Sequence, residues 1–268
     1  MAIALDGSHT PGGASSASLG ATVTRSVTVG AGSNKCLLVV CAWQQDSTEP
    51  TCTFNGISMT KVGPGTSPAL SGKRLTAFSL TETGGLTATT ANVVLTSGQA
   101  EFNAMLGTLS LTGVHQTTPT SDWNSATNAF STTPNVSISN VASGDWSAHI
   151  SAPTSDGAIA FTQGASGETE FCEQRLGTGG TTAAGQYDSS TTGTVNLTHT
   201  LPGGDEWISA GFRIQQAATG SSSVSPSVSP SVSPSVSPSA SVSPSSSVSP
   251  SPSASPLTVM GRTVLDYD

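Results

Sequence analysis

Apolar and polar residues alternate with a period of two along much of residues 21–214, the pattern of β-strands that bury one face. Residues 21–29 place Val23, Val27 and Val29 on one face of such a strand. Residues 35–43 form a nearly continuous apolar run, which is typical of a strand covered on both faces. The same pattern predicts strands over residues 51–62, 74–81, 92–96, 102–114, 135–141, 146–150, 158–162, 194–201 and 207–214.

Turn-forming residues separate most of these segments, and ten or more short strands at this spacing predict a two-sheet sandwich or a barrel. Residues 102–114 carry apolar groups on both faces, so they are expected in the middle of a sheet. After Gly113 the chain is predicted to enter a polar loop from His115 to Ala126. The last strand places Trp207 and Phe212 on opposite faces, which also suits a central position.

The chain changes character after this strand. Residues 221–256 contain only Ser, Val, Pro and Ala, largely as a repeat of four residues. Such a tract has too little apolar surface to form a core, and at ~3.1 Å per residue its polyproline form would reach about 110 Å. The sequence therefore predicts a β-sandwich module over residues 1–216, a spacer over 217–256 and a short tail over 257–268.

Four segments together resemble a jelly-roll module of bacteriophage virion proteins and bacterial surface proteins. They are Asn55-Gly-Ile-Ser-Met-Thr-Lys-Val-Gly63, residues 74–80, Leu109-Ser-Leu-Thr-Gly-Val-His-Gln-Thr-Thr-Pro119 and residues 207–212. Asn55, Thr112 and His115 depart from the Gly, Ser and Asp of that family. The resemblance covers about residues 20–215 and implies an all-β jelly-roll sandwich. Its motifs are turns and core positions, so it implies little about activity.

Composition narrows the functional classes. Charged residues make up 9% of the chain, and residues 1–216 hold fourteen acidic against seven basic side chains. Electrostatic capture of nucleic acid or of an anionic membrane is therefore not expected. No apolar stretch has the length of a membrane span, and the first six residues lack the features of a secretory signal. We expect assembly in the cytoplasm and a final location on the surface of a released particle.

The strongest enzymatic candidate is the acidic segment Glu168-Thr-Glu170-Phe-Cys-Glu173. On a strand, Glu168 and Glu170 share a face, and a bulge would return Glu173 to it, as a retaining glycosidase would need. The segment is similar to the acidic strand of laminarinase-like hydrolases, although Glu replaces the middle Asp of that family and aromatic residues for a sugar cleft are scarce. The simpler interpretation, which we favour, is an exposed acidic face of a strand.

Other chemically active residues have equally simple interpretations. The four histidines His9, His115, His149 and His199 are expected in loops or on the surface. Acidic residues in Gly-rich turns either bind calcium or cap those turns: Asp145, Asp156, Asp188, Asp205 and Glu206. Trp43, Trp123 and Trp146 belong either to the core or to a sugar-binding platform. Cys36 and Cys41 should lie on opposite faces of a strand, while Cys52 and Cys172 are each a core residue, or one of them forms a bridge to Cys36 or Cys41 across the sheets.

These observations predict a non-enzymatic virion structural protein, a capsid-decoration or tail-fibre module without catalytic residues, metal or cofactor. The tail is predicted to dock on other virion subunits, of this protein or of a shell, through alternating apolar and aromatic positions. These positions are Leu257, Val259, Val264, Leu265 and Tyr267. A homo-oligomer is expected, and a host-surface glycan is a further candidate partner. The alternative is a carbohydrate-binding or glycoside-hydrolase-like jelly-roll module of a secreted or cell-surface protein.

Overall fold

The computed structural model describes residues 1–6, 13–16, 22–44, 49–97, 103–154, 162–163, 167–174 and 183–218. The first half of the described chain holds eleven strands and one short 3-10 helix at Glu82–Gly84. The strands are β1 Ala4–Leu5, β2 Gly13–Ser16, β3 Thr22–Val29, β4 Cys36–Gln44, β5 Thr51–Phe54, β6 Ile57–Ser58, β7 Thr60–Val62, β8 Ala69–Leu70, β9 Lys73–Thr81, β10 Thr89–Thr96 and β11 Asn103–Thr112.

The second half adds eight strands. They are β12 Thr120–Ser131, β13 Asn135–Val141, β14 Trp146–Pro153, β15 Thr162–Gln163, β16 Glu168–Gln174, β17 Ala183–Asp188, β18 Gly193–Thr200 and β19 Asp205–Ile214. All paired strands are antiparallel. The predicted all-β class is confirmed.

The described strands form four sheets, where the sequence predicted two. In the first half, β1-β11-β4-β9-β7 form an inner sheet, to which β2 and β8 add, and β3-β10-β5-β6 form an outer sheet. In the second half, β12-β19-β14-β17-β16 form an inner sheet and β13-β18-β15 an outer one. The order β11-β4-β9-β7 corresponds to β19-β14-β17-β16, and β3-β10-β5 to β13-β18-β15. The chain therefore builds the same two-sheet arrangement twice.

The two inner sheets pack face to face through one apolar cluster that we call the central layer. It takes side chains from β4, β7, β9 and β11 on one side and from β14, β16, β17 and β19 on the other. Gly107 of β11 permits the close approach, since a Cβ atom there would lie 2.1 Å from the Sγ atom of Cys172 on β16. The two halves thus share one core.

Strand β4 shows how sequence sets this layering. Its even-numbered residues, such as Leu38 and Val40, enter the central layer, while odd-numbered ones, such as Leu37 and Trp43, enter the apolar layer beneath the first outer sheet. Both faces are covered, as the apolar run predicted. β11 and β19 each have a strand on either side, and Trp207 and Phe212 lie in different clusters, so both central-strand predictions are confirmed.

The predicted loop from His115 to Ala126 is wrong beyond Pro119, because β12 begins at Thr120. This strand lies at a sheet edge and has no buried residue, half of its residues being exposed, so its sequence is polar and lacks alternation. Two register shifts interrupt its pairing with β19, and Asp122 and Phe130 have φ values of 50° and 83°. The predicted strand 51–62 is divided by a turn at Asn55 and Gly56, both with positive φ, a pattern of hairpin turns. Of the predicted strand 158–162, residues 158–161 lie outside the described residues.

Candidate functional site

A layer of buried polar side chains separates the inner and outer sheets of the second half. Alternate residues of β14, β17, β18 and β19 contribute to it, and each has an exposed fraction of 0%: Ser147, His149, Ser151, Gln186, His199 and Ser209. The corresponding face of β4 in the first half is apolar. The hydroxyls of Ser151 and Ser209 hydrogen-bond to each other at 2.6 Å. This layer is the main concentration of buried polar groups among the described residues.

Two histidines form the centre of this layer, and their hydrogen bonds run in one direction. Nε2 of His149 lies 2.8 Å from Nδ1 of His199. With the Gln186 amide nitrogen facing the Glu168 carboxylate, the Gln186 oxygen accepts a hydrogen bond from Nε2 of His199 at 3.2 Å. His199 is then protonated on Nε2, so its Nδ1 must accept from Nε2 of His149. This series of hydrogen bonds ends at Glu168, whose carboxylate also accepts a hydrogen bond from the backbone N–H of Thr198 at 3.0 Å.

Burial determines the charge of both rings. Burial lowers the pKa of His149 to about 3. The pKa of His199 is well below its ordinary value because of burial and of the neighbouring His149. Among the described residues, Nδ1 of His149 has no hydrogen-bond partner, as expected for the unprotonated nitrogen of a neutral ring. Both imidazoles are therefore neutral at neutral pH, and the prediction of loop or surface positions is wrong for both residues.

The acidic segment lies at the edge of this layer. A register shift between Glu170 and Cys172 returns Glu173 to the face shared by Glu168 and Glu170, so the predicted bulge is confirmed. The favoured interpretation of a solvated acidic face is wrong for Glu168, which is 3% exposed, whereas Glu170 is exposed. Glu168 is held as an acceptor inside the protein, and a polysaccharide chain would not reach it in this arrangement.

A second site is an open pocket of about 300 Å³ beside β7 and β9. Leu80, Gly84 and Pro119 form part of the wall, and hydroxyl and amide side chains line most of it: Thr60, Ser79, Thr81, Thr83, Gln116 and Thr117. Thr60 and Ser79 are directly paired across β7 and β9. No residue of the lining carries a charge. The sequence pattern alone did not indicate this pocket.

Gln116 holds the pocket wall through a dense set of bonds. Its side-chain oxygen accepts from the backbone N–H of Glu82 at 2.9 Å, and its amide nitrogen donates to the carbonyls of Val114 and Lys35 at 2.8 and 3.2 Å. Its backbone carbonyl accepts from the hydroxyls of Thr81 and Thr83 at 3.0 and 2.8 Å. The segment joining the two halves is thereby fixed to the end of β9.

The acidic turn residues hold protein groups where they are described. Asp188 accepts hydrogen bonds from the backbone and hydroxyl groups of Ser190 and Thr191. Burial alone would raise its pKa, but these bonds outweigh burial and leave the pKa below its ordinary value. Asp145 pairs with Arg213 at 2.6 Å and accepts from the N–H of Gln216 at 2.7 Å. Turn capping is confirmed for Asp188, and Asp156 lies outside the described residues.

The aromatic and sulfur-containing residues belong mainly to the core. Trp43 is 0% exposed, and Trp146 is buried and stacked on Tyr187 with ring centroids 4.9 Å apart. Trp123 is half-buried and stacks on Phe212. The core interpretation is confirmed for Trp43 and Trp146.

All four cysteines are buried and free, and burial raises their pKa values. Cys36 and Cys41 occupy different layers, as predicted. His115 lies in a turn, where its Nδ1 accepts from the N–H of Thr118 at 3.1 Å, and His9 lies outside the described residues.

The predicted docking positions Leu257, Val259, Val264, Leu265 and Tyr267 lie outside the described residues. Within the described ranges, no group of three or more His, Cys, Asp or Glu side chains could hold a metal ion. None of the helices in the described part of the chain has the length and apolar character to cross a membrane. No family model, curated protein or solved structure matches this chain.

Proposed function

We propose that the protein is a non-enzymatic structural protein of a virus particle, displayed outside the shell as a decoration or fibre module. The observation that carries the proposal is that one sequence contains both a well-packed set of β-sheets and, after it, a low-complexity tract. The described residues up to 218 form four layers of sheet, and residues 221–256 are a tract of Ser, Val, Pro and Ala. Such a tract holds a body away from its point of attachment.

The strand order supports a jelly-roll assignment for each half. In a jelly roll, two four-stranded sheets alternate along the chain through two Greek-key connections. The orders β2-β11-β4-β9 and β3-β10-β5-β6 fit that scheme, with β12-β19-β14-β17 and β13-β18-β15 as the second copy. Jelly rolls are frequent in capsid proteins, and this analogy of fold supports the particle assignment.

The surface also suits display better than catalysis. Glu168, the leading acid candidate, is buried and engaged by Thr198. Three of the basic side chains described form ion pairs: Lys35 with Glu82, Lys61 with Glu49, and Arg213 with Asp122 and Asp145. A chain with few charged groups and an excess of acidic over basic side chains has little electrostatic attraction for nucleic acid or for anionic lipid.

The tail supplies the attachment in this proposal. The apolar and aromatic residues of the tail lie on both sides of Gly261, so each half of the tail could add to a partner sheet as a short strand. They are Leu257, Val259, Val264, Leu265 and Tyr267. Burying Val264 and Leu265 would contribute roughly 3 to 5 kcal/mol before ordering costs are subtracted. One tail would bind weakly, so lasting attachment requires several tails on one oligomer or one particle.

The test is whether the protein travels with particles. Particles from the source cells are banded on a density gradient, probed with an antibody to residues 1–218 and examined by immunogold electron microscopy. We expect the protein in the particle band, with gold lying outside the shell. Recovery of the protein only in the soluble fractions at the top of the gradient would overturn the proposal.

A pair of double variants tests the tail separately. Val264→Asp with Leu265→Asp should reduce the amount of protein on particles at least tenfold, because two charged groups cannot be buried without partners. The matched control, Thr258→Asp with Thr263→Asp, adds the same charge at polar positions and should bind normally. Equal occupancy of all three proteins would show that the tail is not the anchor, while leaving the particle assignment to the gradient result.

A further inference from the structure

The pocket beside β7 and β9 occurs where the central layer ends. On β7, Val62 belongs to the central layer, and Thr60, two residues earlier on the same face, lines the pocket. On β9, Ala77 belongs to the layer, and Ser79 and Thr81 come next on the same face and line the pocket. Both strands thus change from apolar to hydroxyl side chains at the same level. The sequences of both strands therefore specify a polar pocket at this position, and not a gap between apolar side chains.

The hydroxyls of the pocket are held in place. The hydroxyls of Thr81 and Thr83 lie within hydrogen-bond distance of the Gln116 carbonyl and, at 3.0 Å, of each other, so their two hydrogens serve these three contacts. Each hydroxyl oxygen keeps acceptor capacity after it has donated its one hydrogen. The pair therefore presents two acceptor oxygens 3.0 Å apart, to which two neighbouring hydroxyl groups of one ligand can donate. Thr81 is only 7% exposed, so its orientation is set by the protein and not by solvent.

The chemistry of the wall excludes several classes of ligand. The lining has no cationic side chain for a phosphate or carboxylate and no aromatic ring on which a nucleobase would stack. Lys35 and Glu82, whose backbone groups bond to the Gln116 side chain, form an ion pair with each other. Leu80 and Pro119 offer only a small apolar surface, too little for a lipid chain. A volume of about 300 Å³ is at the lower end of the range for small-molecule pockets.

We propose that this pocket binds one neutral sugar residue, through hydroxyl acceptors on Thr81 and Thr83 and an apolar contact with Pro119. The ligand class is an uncharged hexose, either free or at the end of a surface glycan. The wall on the Gln116 side is preformed by the bonds described above, so little ordering is needed on binding. This site does not depend on whether the protein belongs to a virus particle.

The test is a titration of residues 1–268, labelled with ¹⁵N, with methyl glycosides of glucose, galactose and mannose monitored by NMR. We expect at least one of them to shift the amide signals of Thr60, Ser79 and Gln116 in a saturable way, with a dissociation constant in the millimolar range. Glucose 6-phosphate should bind at least tenfold more weakly than the best neutral glycoside, because no cation lines the pocket.

Three variants test whether the sugar binds in this pocket. Thr60→Trp fills the pocket from an exposed position and should abolish the saturable shifts. Thr24→Trp adds the same ring at an exposed position of β3 in the first outer sheet, and should leave binding unchanged. Thr83→Val removes one hydroxyl at constant shape and should weaken binding at least fivefold.

Each alternative result would count against the proposal. Absence of saturable shifts with all three neutral glycosides overturns the sugar site. Stronger binding of glucose 6-phosphate shows that the ligand class is wrong. Unchanged binding in a folded Thr60→Trp protein places the sugar elsewhere. Thr60→Trp and Thr24→Trp proteins should melt within a few degrees of the wild type, which confirms that any loss reflects the pocket.

Discussion

Acidification should destabilise the protein through the buried histidine pair. In the unfolded chain a histidine takes up a proton below its ordinary pKa of 6.5, whereas folded His149 does so only near its lowered pKa of about 3. Between these values the unfolded state binds more protons, so the free energy of unfolding falls as the pH falls. From pH 8 to pH 5.5, His149 alone accounts for a loss of roughly 1 to 2 kcal/mol. His199, whose pKa is also lowered, acts in the same direction.

This pH window separates the histidines from the carboxylates. Glu49, Glu82, Asp122 and Asp188 have pKa values below their ordinary ones, so their contributions are lost only at lower pH, below about 4.5. The assay is urea unfolding monitored by tryptophan fluorescence at pH 8.0 and 5.5, at constant ionic strength. The unfolding midpoint should be clearly lower at pH 5.5.

Two variants identify the groups that titrate. His149→Gln should reduce the difference in midpoint between the two pH values, because one of the two buried rings no longer takes up a proton on unfolding. His115→Gln is the matched control, since it changes a histidine outside the buried layer and leaves both buried rings in place. Equal free energies of unfolding at pH 8.0 and 5.5 in the wild type would refute the assignment of two neutral buried rings.

Two further predictions concern stability. In urea unfolding, Glu168→Leu should lower the free energy of unfolding by about 2 to 4 kcal/mol, because the Gln186 amide and the Thr198 N–H lose a buried acceptor. Glu170→Leu, at an exposed position, should change the free energy of unfolding by less than about 1 kcal/mol. Deleting residues 219–268 should leave the melting temperature within a few degrees of the full chain, because the backbone bond from Ala217 to Gly113 is retained. Equal effects of the two glutamate variants, or a large drop in melting temperature after the deletion, would contradict these expectations.

The sequence predicted strands best where burial on one or both faces leaves a clear pattern. β4 and β13 were anticipated within a residue or two because their apolar positions repeat regularly. β12 was missed because an exposed edge strand has no apolar face to mark it. β17 was missed because its sequence, Ala183-Ala-Gly-Gln-Tyr-Asp188, combines small and polar residues that are nonetheless buried. The number of sheets was missed because alternation identifies buried faces but does not say which strands share a layer.

The buried polar groups were the least predictable part of the molecule. His149 and His199 are fifty residues apart, and only the packing of β14 against β18 brings their rings together. The bulge at Glu170 was anticipated, yet the burial of Glu168 was not, since it depends on the outer sheet above it. The pocket did have a sequence signal. On the face of β9 that carries Ala77, the next two side chains are the hydroxyl residues Ser79 and Thr81. A search for alternating apolar and polar positions does not detect this change along one face.

The central layer has a consequence for how such a chain can be recombined during evolution. Each half has its own pair of sheets, which would normally make it a transferable unit. Here the inner face of each half is completed only by the other, and Cys172 of one half occupies the space left by Gly107 of the other. A gene fragment that encodes one half alone would yield a protein with an uncovered apolar sheet, prone to self-association. The two halves can therefore be exchanged between genes only as a pair.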